Sequence, residues 1–439
     1  RRSPYFLANI VKNQVRRKVA SLTESKAQVQ VRAMKPGLDK SSRVLYNVCR
    51  SLFDTNSFSE TEYKLGQFGM TVGCGFIGTS WNKLRNNVDI AFIDPRRVFI
   101  DPALSSSADL DRAEYVRIDS VLPLHEIRLA FPGRGALVQA TERASTYSTS
   151  AGYKRVPLVG SVLSLLPRPY RPGMPNKTGP IPRAEVKEYW IRDPQLAVDG
   201  TMLFPGGRHI VRAGDVILAD EANPYIDGGW PIEMFEWDVD YDSPWGLDEI
   251  QDLRRLQEAI NRMGDSWIHN TLLSSNFRIV MDIDALDPDQ LDKIDNEAGL
   301  IIAKRPNRAL EYQPPVPPTV ETPAHIDSLI RLCDLLTGNL DIQGKSPVQG
   351  SSAIEGLQMS RQTLVRSVAR RLEAVIERVG QKLISRTFQF YTSDRILFQQ
   401  GPSHEWISYT YERQKLLEDD EGMPRDPEKL KEMFKDYKF

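Results

Sequence analysis

From Ala353 to about Tyr391 the residues Leu357, Leu364, Val368, Leu372, Val375, Val379 and Leu383 recur at three-four spacing, which predicts one helix close to 58 Å long if straight. Any fold for this chain must house that rod. Its cations Arg361, Arg366, Arg370, Arg371, Arg378, Lys382 and Arg386 spread around the cylinder, interleaved with Glu355, Glu373 and Glu377. That distribution predicts a solvated helix with ion pairs rather than a stripe that grips nucleic acid.

A second helical face precedes it. Leu247, Ile250, Leu253, Leu256, Ile260, Met263, Trp267 and Ile268 share one side over about 27 residues, roughly 40 Å of helix. A third helix, about 321–341, carries Ile326, Leu329, Ile330, Cys333, Leu336 and Leu340. Between these two lies a small β-rich block, 276–313, with Phe277-Arg278-Ile279-Val280, an acidic piece at 287–297 and Gly299-Leu300-Ile301-Ile302. It closes on the stiff polyproline spacer Pro314-Pro315-Val316-Pro317-Pro318. A flexible tract, Gln343 to Ser352, leads into the long helix. Its one charge, Lys345, is flanked by Gly, Gln and Ser, a composition able to touch phosphate without gripping it.

The first 245 residues read as α+β, helices first. Residues 4–34 and about 41–68 carry helical patterns, and from Met70 the period changes to two. Val72, Phe76 and Trp81, then Val88, Ile90, Phe92 and Ile93, read as strands, with Asp94-Pro95 and Asp101-Pro102 as turns around Val98-Phe99-Ile100. Residues 141–183, rich in Ser, Thr, Gly and Pro, predict a long excursion with little regular structure. Strands resume at Val186–Ile191, and a hairpin joins Ile210-Val211 to Val216-Ile217-Leu218 through Gly214-Asp215.

With 439 residues and 41% hydrophobic content the chain can build a core, and a prior of roughly 150 residues per domain suggests two to four units. Lys and Arg number 57 against 58 Asp and Glu, so no global positive field holds the chain to nucleic acid or an anionic membrane. No apolar run approaches the roughly 18 residues of a membrane span, and no membrane partner is expected. Cys49, Cys74 and Cys333 lie far apart, against a disulfide framework or zinc ribbon, and predict a reducing cytoplasm. The start Arg1-Arg2-Ser3, without Met, suggests a trimmed N-terminus.

Three motifs invite sharper chemistry. Gly73-Cys74-Gly75-Phe76-Ile77-Gly78 fits the spacing of a dinucleotide-binding turn, but that turn needs a strand before it and a helix after it. Here a helical pattern precedes and a strand-like run follows, so the glycines read as a tight bend or a close backbone approach. Asp238, Asp240, Asp242 and Glu249 stand at loop positions one, three, five and twelve of an EF-hand, yet Ser243 replaces the required glycine. The plainer expectation is a helix start, with Ser243 or Asp242 as cap, Pro244 in the first turn and Asp248 and Glu249 at the positive end of the dipole. The acidic run Asp282, Asp284, Asp287, Asp289, Asp292 and Asp295 has the ligand type for a divalent metal, but sequence proximity alone does not make such ligands converge, and it reads as a solvated loop and helix face. His125, His209, His269, His325 and His404 never pair at ligand spacing and read as surface or packing residues.

The order of elements, taken with certain local pieces, resembles the portal proteins of tailed bacteriophages. The pieces are Val72-Gly73-Cys74-Gly75 running into Trp81, Asp94-Pro95-Arg96-Arg97-Val98-Phe99-Ile100-Asp101-Pro102, and Asn223-Pro224-Tyr225 before Trp230-Pro231. Ser243-Pro244-Trp245-Gly246 leading into a helix, and Gly344 through Ala353 leading into the long helix, complete them; together they cover about three quarters of the chain. The resemblance implies an α+β portal fold assembled as a ring. In it 1–245 is the N-terminal wing, 246–275 stem helix 1, 276–318 the clip, 319–341 stem helix 2, 342–352 the tunnel loop and 353–391 the long wing helix. Residues 392–439 supply C-terminal wing strands and the start of any crown, and an extended crown is not expected.

By the same resemblance the chain is not an enzyme and carries no cofactor or metal. The resemblance implies a homo-oligomeric dodecamer at one capsid vertex of the virion, assembled in the bacterial host cytoplasm, with double-stranded DNA in its channel during packaging and ejection. Its partners are the terminase large subunit, the head-tail adaptor, and the major capsid and scaffolding proteins. Gln343, Lys345, Gln349 and Ser351 are the expected DNA-facing loop residues, and Lys304, Arg305 and Arg308 the clip docking surface. Twelve helices at about 10 Å spacing span a ring about 38 Å across, leaving an opening of roughly 28 Å for a duplex. Asp248, Glu249, Asp252, Glu258 and Asp265 against Arg254, Arg255 and Arg262 give the first stem segment a slight negative excess, suited to a wall that does not bind DNA. A different class of function stays open, a metal-dependent enzyme on nucleic acid or polysaccharide built on Asp238, Asp240 and Asp242.

Overall fold

The computed structural model describes residues 6, 8–24, 29–82, 85–141, 182–197, 199–274, 278–282, 306–307, 310–313, 321–338, 351–401, 403–421, 423 and 430–439. In chain order the elements are α1 (Ile10–Leu22), β1 (Arg32–Ala33), α2 (Asp39–Thr55), α3 (Phe58–Val72), β2 (Cys74–Asn82), β3 (Asn87–Ile93), β4 (Val98–Ile100), β5 (Tyr115–Pro123), α4 (Leu124–Ala130) and β6 (Arg183–Ile191). They continue with β7 (Arg208–Ala213), β8 (Val216–Ala222), β9 (Ile232–Glu236), α5 (Ile250–Ser274), β10 (Arg278–Met281), β11 (Leu310–Gln313), α6 (Glu321–Leu336), α7 (Ser351–Phe390), β12 (Arg395–Gln400), β13 (Trp406–Tyr411) and β14 (Tyr437–Lys438). The fold class is α+β. It divides into a smaller unit, Arg1–Lys18 with Glu249–Gln362, and a larger one, Val19–Asp248 with Thr363–Phe439.

In the larger unit β4 to β8 form an antiparallel meander in sequence order. Along β5 and β6 burial alternates, and Leu122, Ala184, Val186, Val211, Ala213 and Leu218 face one core with Ile127 of α4. Gly214, at φ +58°, turns β7 into β8. A second sheet has the order β3-β2-β9, all antiparallel.

Here the glycines of the Gly73–Gly78 motif find their roles. Gly73 ends α3 at φ +93° and donates to the Gly69 carbonyl, and a Cβ on it would lie 2.7 Å from the Gly246 carbonyl oxygen. A Cβ on Gly75 would meet Leu65, and one on Gly78 would meet Ile93, each at 2.9 Å. A helix precedes the glycines and a fully buried strand follows, the reverse of a dinucleotide-binding turn.

Four sequence expectations need correction. The helix expected over 4–34 is α1 alone, because Arg32 and Ala33 pair with Lys438 and Tyr437, a partner that local pattern cannot reveal. The helix expected over 41–68 is two helices. Ser57 at φ +51° breaks it, and the Asn56 side chain is spent on the Leu52 and Val88 carbonyls and the Ile90 amide. The helix expected to start at Ser243 starts at Ile250. Gly246 lies at φ +70°, Leu247 bridges Asp238, and the Ser243 hydroxyl accepts only from the Trp245 amide. The third helix ends at Leu336, where Thr337 donates through its amide and hydroxyl to Cys333 and Gly338 turns at φ +68°. The 142–181 excursion, the acidic run beyond Asp282 and the strand expected at Gly299–Ile302 lie outside the described residues.

Replacing Gly73 with alanine imposes left-handed strain and a backbone clash together. The unfolding free energy is expected to fall by about 1–3 kcal/mol, read from a denaturant midpoint.

Candidate functional site

The smaller unit is built on α5 and α6. Lys18 reaches Glu249 at the start of α5 (2.5 Å), while Gln14 reaches Asp334 (2.5 Å) and Thr337 (3.2 Å) at the end of α6, so the two helices run antiparallel. Between them, β10 and β11 pair antiparallel, Arg278 opposite Gln313 and Met281 opposite Leu310. At about 1.5 Å per residue α5 is about 38 Å long and α6 about 24 Å.

This pair encloses little. Its fully buried apolar side chains among the described residues are Leu253, Ile260 and Cys333, backed by partly buried Leu256, Ile326, Leu329 and Ile330. Trp267 and Leu272 on α5, and Leu332, Leu335 and Leu336 on α6, are exposed, Leu335 to 59%. The charges are mixed. Asp252, Glu258 and Asp265 stand against Arg254, Arg255 and Arg262 on α5, and Glu321, Asp327 and Asp334 against Arg331 on α6. Arg254 and Glu258 are exposed and 3.3 Å apart, a pair worth well under 1 kcal/mol.

The start of the chain completes this small core. Phe6, Ile10 and Val11 pack against it, and the Phe6 ring lies where any Cβ on Gly264 would be. Gln257 accepts from the Ile10 and Val11 amides at 2.9 and 3.2 Å and donates to the Ala8 carbonyl at 2.6 Å. Thus a side chain of α5 caps the start of α1.

Of the residues singled out in the sequence, Gln343, Lys345, Gln349, Lys304, Arg305 and Arg308 lie outside the described residues. Ser351 is the first residue of α7. Asp238, Asp240 and Asp242 are not brought together. The Asp238 carboxylate accepts from the Val239 amide and faces Arg371 at 3.3 Å, and Asp240 accepts from the Asp242 amide. Among the described residues no three His, Cys, Asp or Glu side chains are grouped to hold a metal.

What the sequence concealed is a line of buried polar contacts on α7, within the larger unit. Arg371, Arg378, Lys382, Arg386 and Gln389 fall within about 80° of helix surface at 100° per residue. They meet the segment Pro224–Asp238 in reverse order. Arg371 donates to the Trp237 carbonyl, and Arg378 to Glu233 (2.7 Å) and the Met234 carbonyl (3.1 Å). Lys382 bonds Glu233 (2.6 Å), Asp111 (3.0 Å) and the Trp230 and Ile232 carbonyls (2.7 and 3.0 Å). Arg386 pairs with Asp227 and lies 3.8 Å over the Tyr225 ring, and Gln389 accepts from the Ile226 amide. The expectation of a solvated helix fails here because residues 382–388 are buried on every side. Burial favours the neutral Lys382 amine, but Glu233 and Asp111 outweigh it and raise its pKa.

One histidine joins a buried pair. His209 stacks on Trp190 with ring centroids 4.1 Å apart and bonds Glu188 at 2.9 Å, both carboxylate and imidazole being almost fully buried. Desolvation opposes the imidazolium, but the hydrogen bonds to Glu188 and Glu221 and their charges prevail, raising its pKa to about 9. His125, His269, His325 and His404 are exposed.

No protein-family model and no curated protein matches the chain.

Two measurements check this account of the larger unit. Lys382→Met removes one of the two cations on the buried Glu233 carboxylate, leaving Arg378, together with the partner of the half-exposed Asp111, and is expected to cost about 1–3 kcal/mol in unfolding free energy. Because the folded pKa of His209 is raised, its contribution is complete below about pH 6.5 and lost as pH rises through about 9. The unfolding temperature is therefore expected to fall across that window, and less steeply in His209→Gln.

Proposed function

We propose that this chain is the subunit of a portal-type ring, a dodecamer at one capsid vertex through which double-stranded DNA is packaged and ejected. The observation that supports this reading most strongly is the open antiparallel pair α5 and α6, joined by way of the β10–β11 ladder. Among the described residues the pair buries only a short apolar row, and it leaves Trp267, Leu272, Leu332, Leu335 and Leu336 exposed. Rods of this kind become stable walls when copies stand side by side.

The near balance of charge on the pair suits such a wall. Each neutralised phosphate would strengthen DNA retention, whereas a conduit benefits from surfaces that let the duplex slide. In this reading Gln343, Lys345, Gln349 and Ser351 face the DNA, and Lys304, Arg305 and Arg308 dock the terminase large subunit and the head-tail adaptor. The major capsid and scaffolding proteins surround the ring within the virion. The order of α5, β10, β11, α6 and the 40-residue α7 supports the same reading.

Electron micrographs of the purified protein in negative stain are expected to show closed rings with a central hole, at a mass near twelve times the 49.8 kDa chain. Monomers or closed two-chain particles at every concentration would overturn the proposal. In assembled particles, Lys345→Ala is expected to weaken DNA retention at low salt and to matter less at high salt, as a phosphate contact should.

A further inference from the structure

The larger unit presents two apolar surfaces that nothing among the described residues covers. The first is the β12–β13 hairpin. In its register Ile396 lies opposite Thr410, Phe398 opposite Ser408 and Gln400 opposite Trp406, so these six side chains share one face. Ile396, Phe398 and Trp406 are each more than half exposed, and the face carries no charge.

The inner strand of this hairpin is tied down. Ser51 and Arg50 of α2 donate to the Phe398 and Gln400 carbonyls at 2.8 and 3.1 Å, and Asp54 accepts from the Gln400 amide at 2.8 Å. The outer strand, Trp406-Ile407-Ser408-Tyr409-Thr410-Tyr411, pairs with no second strand among the described residues. An uncharged, proline-free edge of this kind lacks the lysines and bulges that keep edges apart, and in a functional state it needs a cover.

The second surface is a finger at Gln195–Leu203. The Leu203 amide donates to the Gln195 carbonyl (3.0 Å), the Ala197 amide to the Thr201 carbonyl (2.8 Å), and Leu196 bridges Met202. Leu196, Met202 and Leu203 are half exposed or more. The finger's charge, Asp199, is turned back onto the Thr201 amide and hydroxyl. Backbone bonds therefore hold Leu196, Met202 and Leu203 in one arrangement, ready to bind without further ordering.

We propose that these surfaces are the two halves of one joint between copies of this chain, the β12–β13 face of one copy receiving the Gln195–Leu203 finger of the next. A joint that closes a ring is heterologous and needs two different surfaces on each copy, whereas a two-fold dimer needs one. Area points the same way. Phe398 and Trp406, aromatic side chains of roughly 150–250 Å² each and somewhat more than half exposed, together with Ile396 give the hairpin face about 300 Å². That is over a third of the roughly 800 Å² each partner contributes to a standard interface, and within the roughly 300–600 Å² of a monomer's largest, often functional, apolar patch. The inference rests on the ring reading, and it names the surfaces of the larger unit that would hold the ring together.

The test uses the full chain in two variants, Phe398→Glu/Trp406→Glu on the hairpin and Leu196→Glu/Met202→Glu on the finger, with circular dichroism and unfolding midpoints to establish that each folds. Mass photometry of each alone is expected to show loss of the ring and leave monomers. Mixed in equal amounts, they retain one intact joint per pair, and a two-chain species is expected. Rings formed by either folded variant, or a mixture of folded variants that stays monomeric, would overturn the joint while leaving the ring reading untouched. Open chains or dimers from the unsubstituted protein, abolished by either variant, would support the joint and remove the ring.

Discussion

Glu233 is the charge around which the larger unit is arranged. A carboxylate that is 2% exposed persists only with partners, and here Arg378 and Lys382 both supply them from one side of α7. The same lysine reaches Asp111 and two backbone carbonyls, and Arg386 extends the line to Asp227 and the Tyr225 ring. Because the contacts follow the segment Pro224–Asp238 residue by residue, α7 cannot slide without breaking several of them. That segment holds β9, and β9 pairs with β2, whose Gly75 makes room for Leu65 of α3. One buried ion cluster thus fixes the register of a helix, a strand and the sheet beneath.

The smaller unit is organised in the opposite way. Its side chains offer Gln257, Asp265, Gln14 and Lys18 as specific ties, but among the described residues its apolar interior is a short row between α5, α6 and the start of the chain. A core of that size supplies little of the burial that stabilises a domain. In the ring reading proposed above, the smaller unit would gain stability from neighbours of its own kind, while the larger has its own buried ion cluster. DNA passage would need both properties, a firm frame and a wall whose surface charge is nearly cancelled.

Much of the element pattern was legible because it rests on local rules. Three-four spacing from Leu357 to Leu383 marked α7 to within two residues at its start, and Gly214-Asp215 marked the β7–β8 turn. The glycine motif at 73–78 was readable as packing because helix preceded it and strand followed. The failures share one cause, a partner distant in sequence. Arg32-Ala33 became a strand through Tyr437-Lys438, and Asn56 broke a helix by bonding β3. The line of cations on α7 was visible as residues, but their carboxylate partners at 111, 227 and 233 share no spacing with them. His209 was likewise invisible as a charged core residue, since Glu188 and Trp190 belong to the neighbouring strand β6. The residues expected to face DNA and to dock partners, Ser351 at the start of α7 apart, lie outside the described residues.

The central claim is that the α5–α6 pair is completed by other copies while the second half of α7 is not. Hydrogen exchange on the protein at increasing concentration tests it directly, read separately for peptides covering 250–274, 321–336 and 368–388. The account predicts fast exchange in the first two at low concentration, slowing severalfold as assembly proceeds, with 368–388 protected throughout. Equal and concentration-independent protection in all three segments would contradict it, for it would mean that the helix pair already possesses an interior of its own.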